Sequence, residues 1–443
     1  MTSRVLFACW PFEGHVFPQL SMALALRERG ADVAFYTDGS ARELIEGEGF
    51  EVFGFKRVGP KWRRVHEGAQ GAGGRRDAIR LLRESREWIV GTIADQVADI
   101  EDVTADWRPD VIGAEASMWG PLLVLSERSP VPVALVSPLI TAQLPGPDAP
   151  AAGGLARAGT ARAQRINRIA ERLTAIATRP MRRRIDAIRA RYGLAPLGCA
   201  VTAAGGRLPL YLVLSTPELD YNRRDLPASV HYVGPCLWHP REPDGTREWL
   251  DGLPTDRPWV HVTEGTSHFQ RPMLLGAAAS GLAGAPCEAI LTTGRGRAPH
   301  ELGLASPAPN VHVTQWLSHD VLLGRCAAIV TTGGMGTVMA ALRAGIPLVV
   351  VPTNWDKPTI AQRVVDAGVG VRLAPRRCTP ERLREAVERV LRDQRYGERA
   401  RRLAARLAAA PGPDGAAELI ERLASAQHEP TVAVATEPEG SHT

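Results

Sequence analysis

Three groups of residues in this 443-residue chain have types and spacings suited to chemistry. The first is Thr332-Gly333-Gly334-Met335-Gly336-Thr337, a glycine-rich turn between an apolar run at 327–330 and an amphipathic segment beginning near Met335. Glycines at the start of a helix let backbone N–H groups approach a phosphate, with the positive end of the helix dipole behind them, and the two threonine hydroxyls add donors. A second apolar run follows at 348–351, and Trp355, Asp356 and Lys357 lie on the loop after it. The second group is Gly14-His15, after the apolar run at 4–10 and just before a helix expected to start at 16–18. Its imidazole can take a proton near neutral pH. The third is Glu115, delivered to the same sheet edge by the run 110–114. A carboxylate there can orient the imidazole and stabilise its protonated form.

These residues need a scaffold that brings loops to one edge. Strands are expected at 4–10, 32–37, 50–54, 110–114, 131–137, 210–215 and 231–233, with helices at 17–29 and 41–48. A second set, at 259–263, 289–292, 311–314, 327–330, 348–351 and 370–373, repeats the alternation, and Thr379-Pro380 opens a capped helix. β-α-β order predicts parallel sheets with right-handed crossovers. The expected architecture is α/β, with two Rossmann-like doubly wound domains facing a cleft: residues 1–234, a proline- and tryptophan-containing linker at 235–258, residues 259–424, and a disordered tail at 425–443. Irregular stretches at 56–76 and 143–159 are expected to be lids or binding loops. Ligands of such sheets bind at the strands' carboxyl ends. Gly265-Thr266, after the strand at 259–263, offers a small residue and a hydroxyl to a second phosphate.

Hydrophobic residues make up 44% and charged residues 23%, the balance of an ordinary globular protein, so a core for each domain is affordable. The net charge of +5 comes from arginines at helical, solvent-facing spacing, with no nucleic-acid-binding signature beside them. Six scattered cysteines form no Cys-x-x-Cys pair, and the histidines show no ligand spacing, so neither disulfides nor zinc are expected. No apolar run is long enough to span a bilayer, and the first strand follows Ser3 directly. A cytoplasmic protein without stable membrane insertion is the expectation.

The glycine turn, the strand after it and the Trp-Asp-Lys loop resemble the carboxyl-terminal half of family 1 nucleotide-sugar-dependent glycosyltransferases of the antibiotic and natural-product type, with the GT-B fold. The resemblance runs from about residue 4 to 423 and is most specific at 310–323 and 329–363. It implies that His15 is the catalytic base with Glu115 at the position of an aspartate partner. It further implies that Gly265, Thr266, Trp316, Leu317, Thr332, Gly333, Gly334, Met335, Gly336, Thr337, Trp355, Asp356 and Lys357 bind a nucleoside-diphosphate sugar. Trp316 would stack on the base and the Leu317 backbone would read its edge. The chain departs from the family pattern at Thr332, where a histidine is usual, at Asp356-Lys357, where the second residue is usually glutamine, and at Ser318-His319, where Pro-Gln is usual. The implied reaction inverts the anomeric carbon and moves a deoxysugar from a TDP-sugar, or a glucose-type sugar from UDP, to an O or N nucleophile of a small lipophilic or aromatic acceptor. Metal-dependent glycosyltransferases commonly hold their ion with an Asp-x-Asp pair, which this sequence lacks, so neither metal nor cofactor is expected. The chain would act as a monomer or homodimer. A nucleotide-sugar isomerase or epimerase on the same fold and a non-catalytic auxiliary partner are the competing readings.

Overall fold

The computed structural model describes residues 2–60, 62, 75–146, 149, 160–242, 244–266, 273–295, 297–303 and 308–426. Most of the irregular stretches at 56–76 and 143–159, and nearly all of the tail, lie outside the described residues. The chain forms two fully parallel sheets. The first contains β1 (Arg4–Ala8), β2 (Asp32–Tyr36), β3 (Glu51–Phe53), β4 (Val111–Glu115), β5 (Val133–Ser137), β6 (Leu210–Val213) and β7 (Val230–Tyr232), in the order 3-2-1-4-5-6-7. The second contains β8 (Trp259–Thr263), β9 (Glu288–Thr292), β10 (Val311–Thr314), β11 (Cys326–Thr331), β12 (Leu348–Val350) and β13 (Gly370–Arg372), in the order 10-9-8-11-12-13. Both sheets are α/β and doubly wound, and each reverses its order once, between β1 and β4 and between β8 and β11.

Alternation along β1 shows why both faces are covered. Leu6 and Ala8 enter one core with Ile93, Val97 and Ile100. Val5 and Phe7 enter the other with Leu20 and Met22 of α1 (Glu13–Glu28). A strand buried on both faces must be apolar throughout, which is how β1 reads. In the second sheet Val260, Val262 and Val330 pack on Leu274, Leu275 and Leu383, while Ile329, Leu348 and Val350 pack on Val338, Leu342 and Ile360.

Two findings depart from the sequence reading. Helix α1 starts at Glu13, one turn before Pro18, so His15 sits in its first turn and not in the preceding loop. The His15 and Val16 N–H groups both donate to the Phe12 carbonyl, at 2.8 and 2.9 Å, which closes the first turn ahead of the expected start. The last described helix, Gly412–Ser425, packs on the first domain although its sequence position places it with the second. Ala416, Ala417, Ile420 and Ala424 join the core of Val5 and Phe7, and Arg29 pairs with Glu421 at 2.7 Å. The chain thus crosses between domains twice. Large-to-small changes at fully buried aliphatic positions cost about 2–5 kcal/mol. Ile420→Ala should therefore lower the denaturation midpoint of the first domain by that much free energy, although the substitution lies outside that domain's continuous sequence. Urea unfolding followed by the tryptophans of each domain tests this, and an unchanged first-domain transition would contradict the packing.

Candidate active site

The reversal of strand order between β1 and β4 leaves a crevice at the sheet's carboxyl edge, and both expected chemical residues of the first domain fall into it. His15 arrives from α1 after β1, and Glu115 is the last residue of β4. His15 Nδ1 lies 3.1 Å from Glu115 Oε1, a short approach that is bent away from the in-line direction of a strong hydrogen bond. Glu115 is 2% exposed, and its carboxylate also accepts from the Ser117 backbone N–H at 3.1 Å and the Ser117 hydroxyl at 2.7 Å. These bonds fix the carboxylate from its far side. Burial of the His15 ring pulls its pKa down, but the charge and hydrogen bonding of Glu115 outweigh that, Asp356 adds to them, and the net shift is upward from 6.5. With Nδ1 turned to Glu115, Nε2 is the nitrogen left to face a reactant.

Asp356, on the second domain, is the other carboxylate that acts on His15. Asp356 follows β12, and burial raises its own carboxyl above the usual range, against the pull of the Lys357 and His15 charges. Trp355, just before it, is a non-glycine residue at φ +56 and is 48% exposed. Holding a bulky side chain in the left-handed region costs roughly 1–3 kcal/mol, and such strain gathers at functional sites.

The second sheet reverses between β8 and β11, and the glycine turn lies there. Gly333 has φ +90, and a Cβ on it would come within 2.9 Å of Val350 Cγ1, so this position requires glycine. Gly334 caps the helix Met335–Arg343, and at both Gly334 and Gly336 a Cβ would enter open space. The helix N-terminus therefore offers uncovered backbone to a ligand. Thr337 is buried in its first turn. Gly265, at φ +73, and Thr266 follow β8 beside this turn.

The Thr332 hydroxyl is already engaged. It donates to the Glu264 backbone oxygen at 2.8 Å and accepts from Lys357 Nζ at 3.3 Å. A hydroxyl has one proton, so Thr332 in this state has none to give a phosphate. The same hydroxyl is a partner of Lys357. The two departures from the family pattern, Thr332 and Lys357, therefore touch: the side chain of one loop places an ammonium against the other. Burial pulls the Lys357 pKa down to about 8, partly offset by Asp356 and Glu264.

Trp316 and Leu317 line a cavity of about 470 Å³ together with Arg295, Gln315 and the linker residues Asp244, Gly245, Thr246 and Trp249. The Arg295 guanidinium lies 4.7 Å from the Trp316 ring centre, so one ring face is already covered. Arg295 also acts on Glu13 across the cleft. The sequence reading missed Arg295, Glu264 and Ser117. Ser117 had a local signal, a hydroxyl two residues after a strand-terminal carboxylate. Glu264 is held by Arg297 at 3.2 Å and by the Leu274 N–H at 3.1 Å, contacts that only the fold creates.

A further cross-domain contact had no sequence signal. Asp220, 1% exposed, accepts from the Ala142 N–H at 2.9 Å and the Tyr232 hydroxyl at 2.6 Å, and lies 3.5 Å from Arg363 of the helix Lys357–Asp366. The Arg363 guanidinium is 3.6 Å from the Tyr221 ring centre, and the Tyr221 hydroxyl donates to Asp366 at 2.5 Å.

The chain is similar to known proteins. Residues 287–423 match the family "Erythromycin biosynthesis protein CIII-like, C-terminal domain". A 4'-demethylrebeccamycin synthase from Lentzea aerocolonigenes is 33% identical over 438 residues, covering 96% of this chain and 100% of the relative. The chain belongs to the antibiotic-type GT-B glycosyltransferases. Among solved structures, the glycotransferase of kitacinnamycin superposes with a TM-score of 0.73 at 24% identity, over 95% of this chain and 99% of that one. The glycosyltransferase VinC in complex with DTDP superposes at 0.65 and 19%, over 96% and 100%. The glycosyltransferase fold thus accounts for the paired sheets, and the site chemistry must be argued from its own residues.

The electrostatics of His15 are directly testable. An NMR titration should place its imidazole above 6.5 in the parent protein and below that value in Glu115→Gln, where burial is no longer outweighed. An unmoved titration would show that Glu115 does not set the basicity of His15.

Proposed function

We propose that this glycosyltransferase moves a sugar from a nucleoside diphosphate, of the TDP or UDP type, to an O or N nucleophile of a small lipophilic or aromatic acceptor, inverting the anomeric carbon without a metal ion. The observation that carries the reading is the His15–Glu115 pair, acted on by Asp356, whose neighbour Lys357 meets Thr332 at the head of the glycine turn. The acceptor would lie against the first domain. His15 Nε2 takes its O–H or N–H proton as the acceptor lone pair forms the bond to the anomeric carbon. The bond from that carbon to the diphosphate oxygen breaks, and its electron pair leaves with the nucleoside diphosphate. Entry and departure on opposite faces invert the carbon. The amides of 334–337 and the Lys357 ammonium meet the developing charge, so preorganised donors take the place of a cation. A thymidine diphosphate bound to VinC, a protein of the same fold, supports a nucleotide of this class. The linker cavity at Trp316, half covered by Arg295, suits a flat base.

A mass-spectrometric screen of TDP- and UDP-sugars against aromatic and polyketide acceptors, with the product's anomeric configuration read by NMR, tests the reading. Glycosylated product of inverted configuration, formed in excess chelator, is expected. Retained configuration, or activity lost to chelator and restored by magnesium, would contradict it. In the same assay His15→Ala should lower turnover by about 10²-fold or more.

The pH dependence follows from two groups of opposite sign. His15 must be neutral to accept a proton, so kcat/KM should rise with pH through its raised pKa. Lys357 must be charged to hold the diphosphate, so activity should fall again as pH passes about 8. Lys357→Met should remove the alkaline limb and weaken nucleoside-diphosphate binding, while the acid limb stays. An alkaline limb that survives the substitution would assign it elsewhere.

A further inference from the structure

The helix Ala161–Ala177, between β5 and β6, carries its apolar residues on the outside. Ile166, Ile169, Leu173 and Ile176 are 50–61% exposed, and they account for four of the six exposed large apolar side chains among the described residues. Their spacing of three, four and three residues makes one continuous stripe about 15 Å long. The opposite face, with Asn167 buried and Ala163, Ala170 and Glu171 half-buried, is the one turned to the protein. The helix is well started, since the Thr160 hydroxyl accepts from the Ala163 N–H at its amino end. An amphipathic helix normally buries such a stripe, which would contribute about 1.5–3 kcal/mol per large aliphatic side chain. Here that burial is left for something outside the chain.

The charges beside the stripe indicate what that is. Arg162, Arg165, Arg168 and Arg172 are exposed, and none is in an ion pair among the described residues, while Glu171 is the helix's one acid. At 100° per residue, Arg165 and Arg172 border the stripe on one side and Arg162 continues its line. A second copy pairing through this face would bring the two arginine sets together, because a two-fold interface is self-complementary only where its charges are. An anionic surface suits both features at once. We propose that this helix adsorbs to anionic phospholipid bilayers, lying in the plane of the interface with the Ile/Leu stripe at the acyl boundary and the guanidiniums on lipid phosphates. The association is peripheral and reversible: among the described residues no helix is long and apolar enough to cross a membrane. It is independent of the transfer reaction, and neither His15 nor the glycine turn takes part.

Co-sedimentation of the full chain with vesicles of phosphatidylcholine alone, and of phosphatidylcholine mixed with phosphatidylserine, tests the proposal. The parent protein should bind the mixed vesicles, bind the neutral ones far more weakly, and lose binding as salt rises. The paired substitution Ile169→Glu with Leu173→Glu should abolish sedimentation. Arg165→Gln with Arg172→Gln should weaken it roughly tenfold or more, given the contribution of each basic residue near an anionic surface. All these positions are exposed, and circular dichroism with thermal melting shows that the variants are folded. Failure of the parent to bind mixed vesicles would overturn the proposal, as would binding that survives the two glutamates. A dimer in light scattering that the glutamates dissociate, with no vesicle binding, would assign the stripe to a second copy instead.

Discussion

Asp220 and Arg363 hold the cleft at a set width. Each is almost fully buried, one on each domain, and a charge buried to that degree is tolerated only when another group answers it. Asp220 is tied to the Ala142 backbone and to Tyr232 in the first domain, and Arg363 lies on the helix whose first residue is Lys357. The distance from the loop after β5 to the loop after β12 is therefore not free to drift. The position of Asp356 opposite His15, and of Lys357 against Thr332, depends on that helix being where Asp220 and Tyr221 keep it. The returning helix Gly412–Ser425 ties the domains a second time from the opposite side.

Within that frame the two halves of the site have different physics. On the first domain a buried carboxylate, pinned by Ser117, raises the basicity of an imidazole that burial alone would lower. On the second, the helix-start backbone and the buried Lys357 ammonium supply positive potential. The two charges suit the opposite tasks that the proposed transfer requires, proton acceptance on one side and stabilisation of a leaving diphosphate on the other.

Much of this was legible in the residues themselves. Strands buried on both faces read as continuous apolar runs, and both parallel sheets followed from the alternation of such runs with helices. Because His15 follows the first strand and Glu115 ends a later one, both could be assigned to the carboxyl edge of one parallel sheet from the order of strands and helices. What the sequence could not carry was side-chain pairing across the chain. Thr332 and Lys357 are 25 residues apart, and only the fold shows that the hydroxyl is engaged with the Glu264 carbonyl and with the lysine. Asp220 and Arg363 belong to different domains, and neither stands in a motif. The helix Gly412–Ser425 reads as an ordinary amphipathic segment, with nothing in it to name the sheet it covers.

The central claim is that a nucleoside diphosphate is held at the β8–β11 crevice by backbone amides and Lys357, facing His15. A crystal structure of the chain with thymidine diphosphate tests it most directly. The account predicts phosphate oxygens at about 3 Å from the N–H groups of residues 334–337 and from Lys357 Nζ, with the base in the Trp316 cavity. Diphosphate bound away from that helix start, or with Lys357 still turned to Thr332 and out of reach, would contradict it.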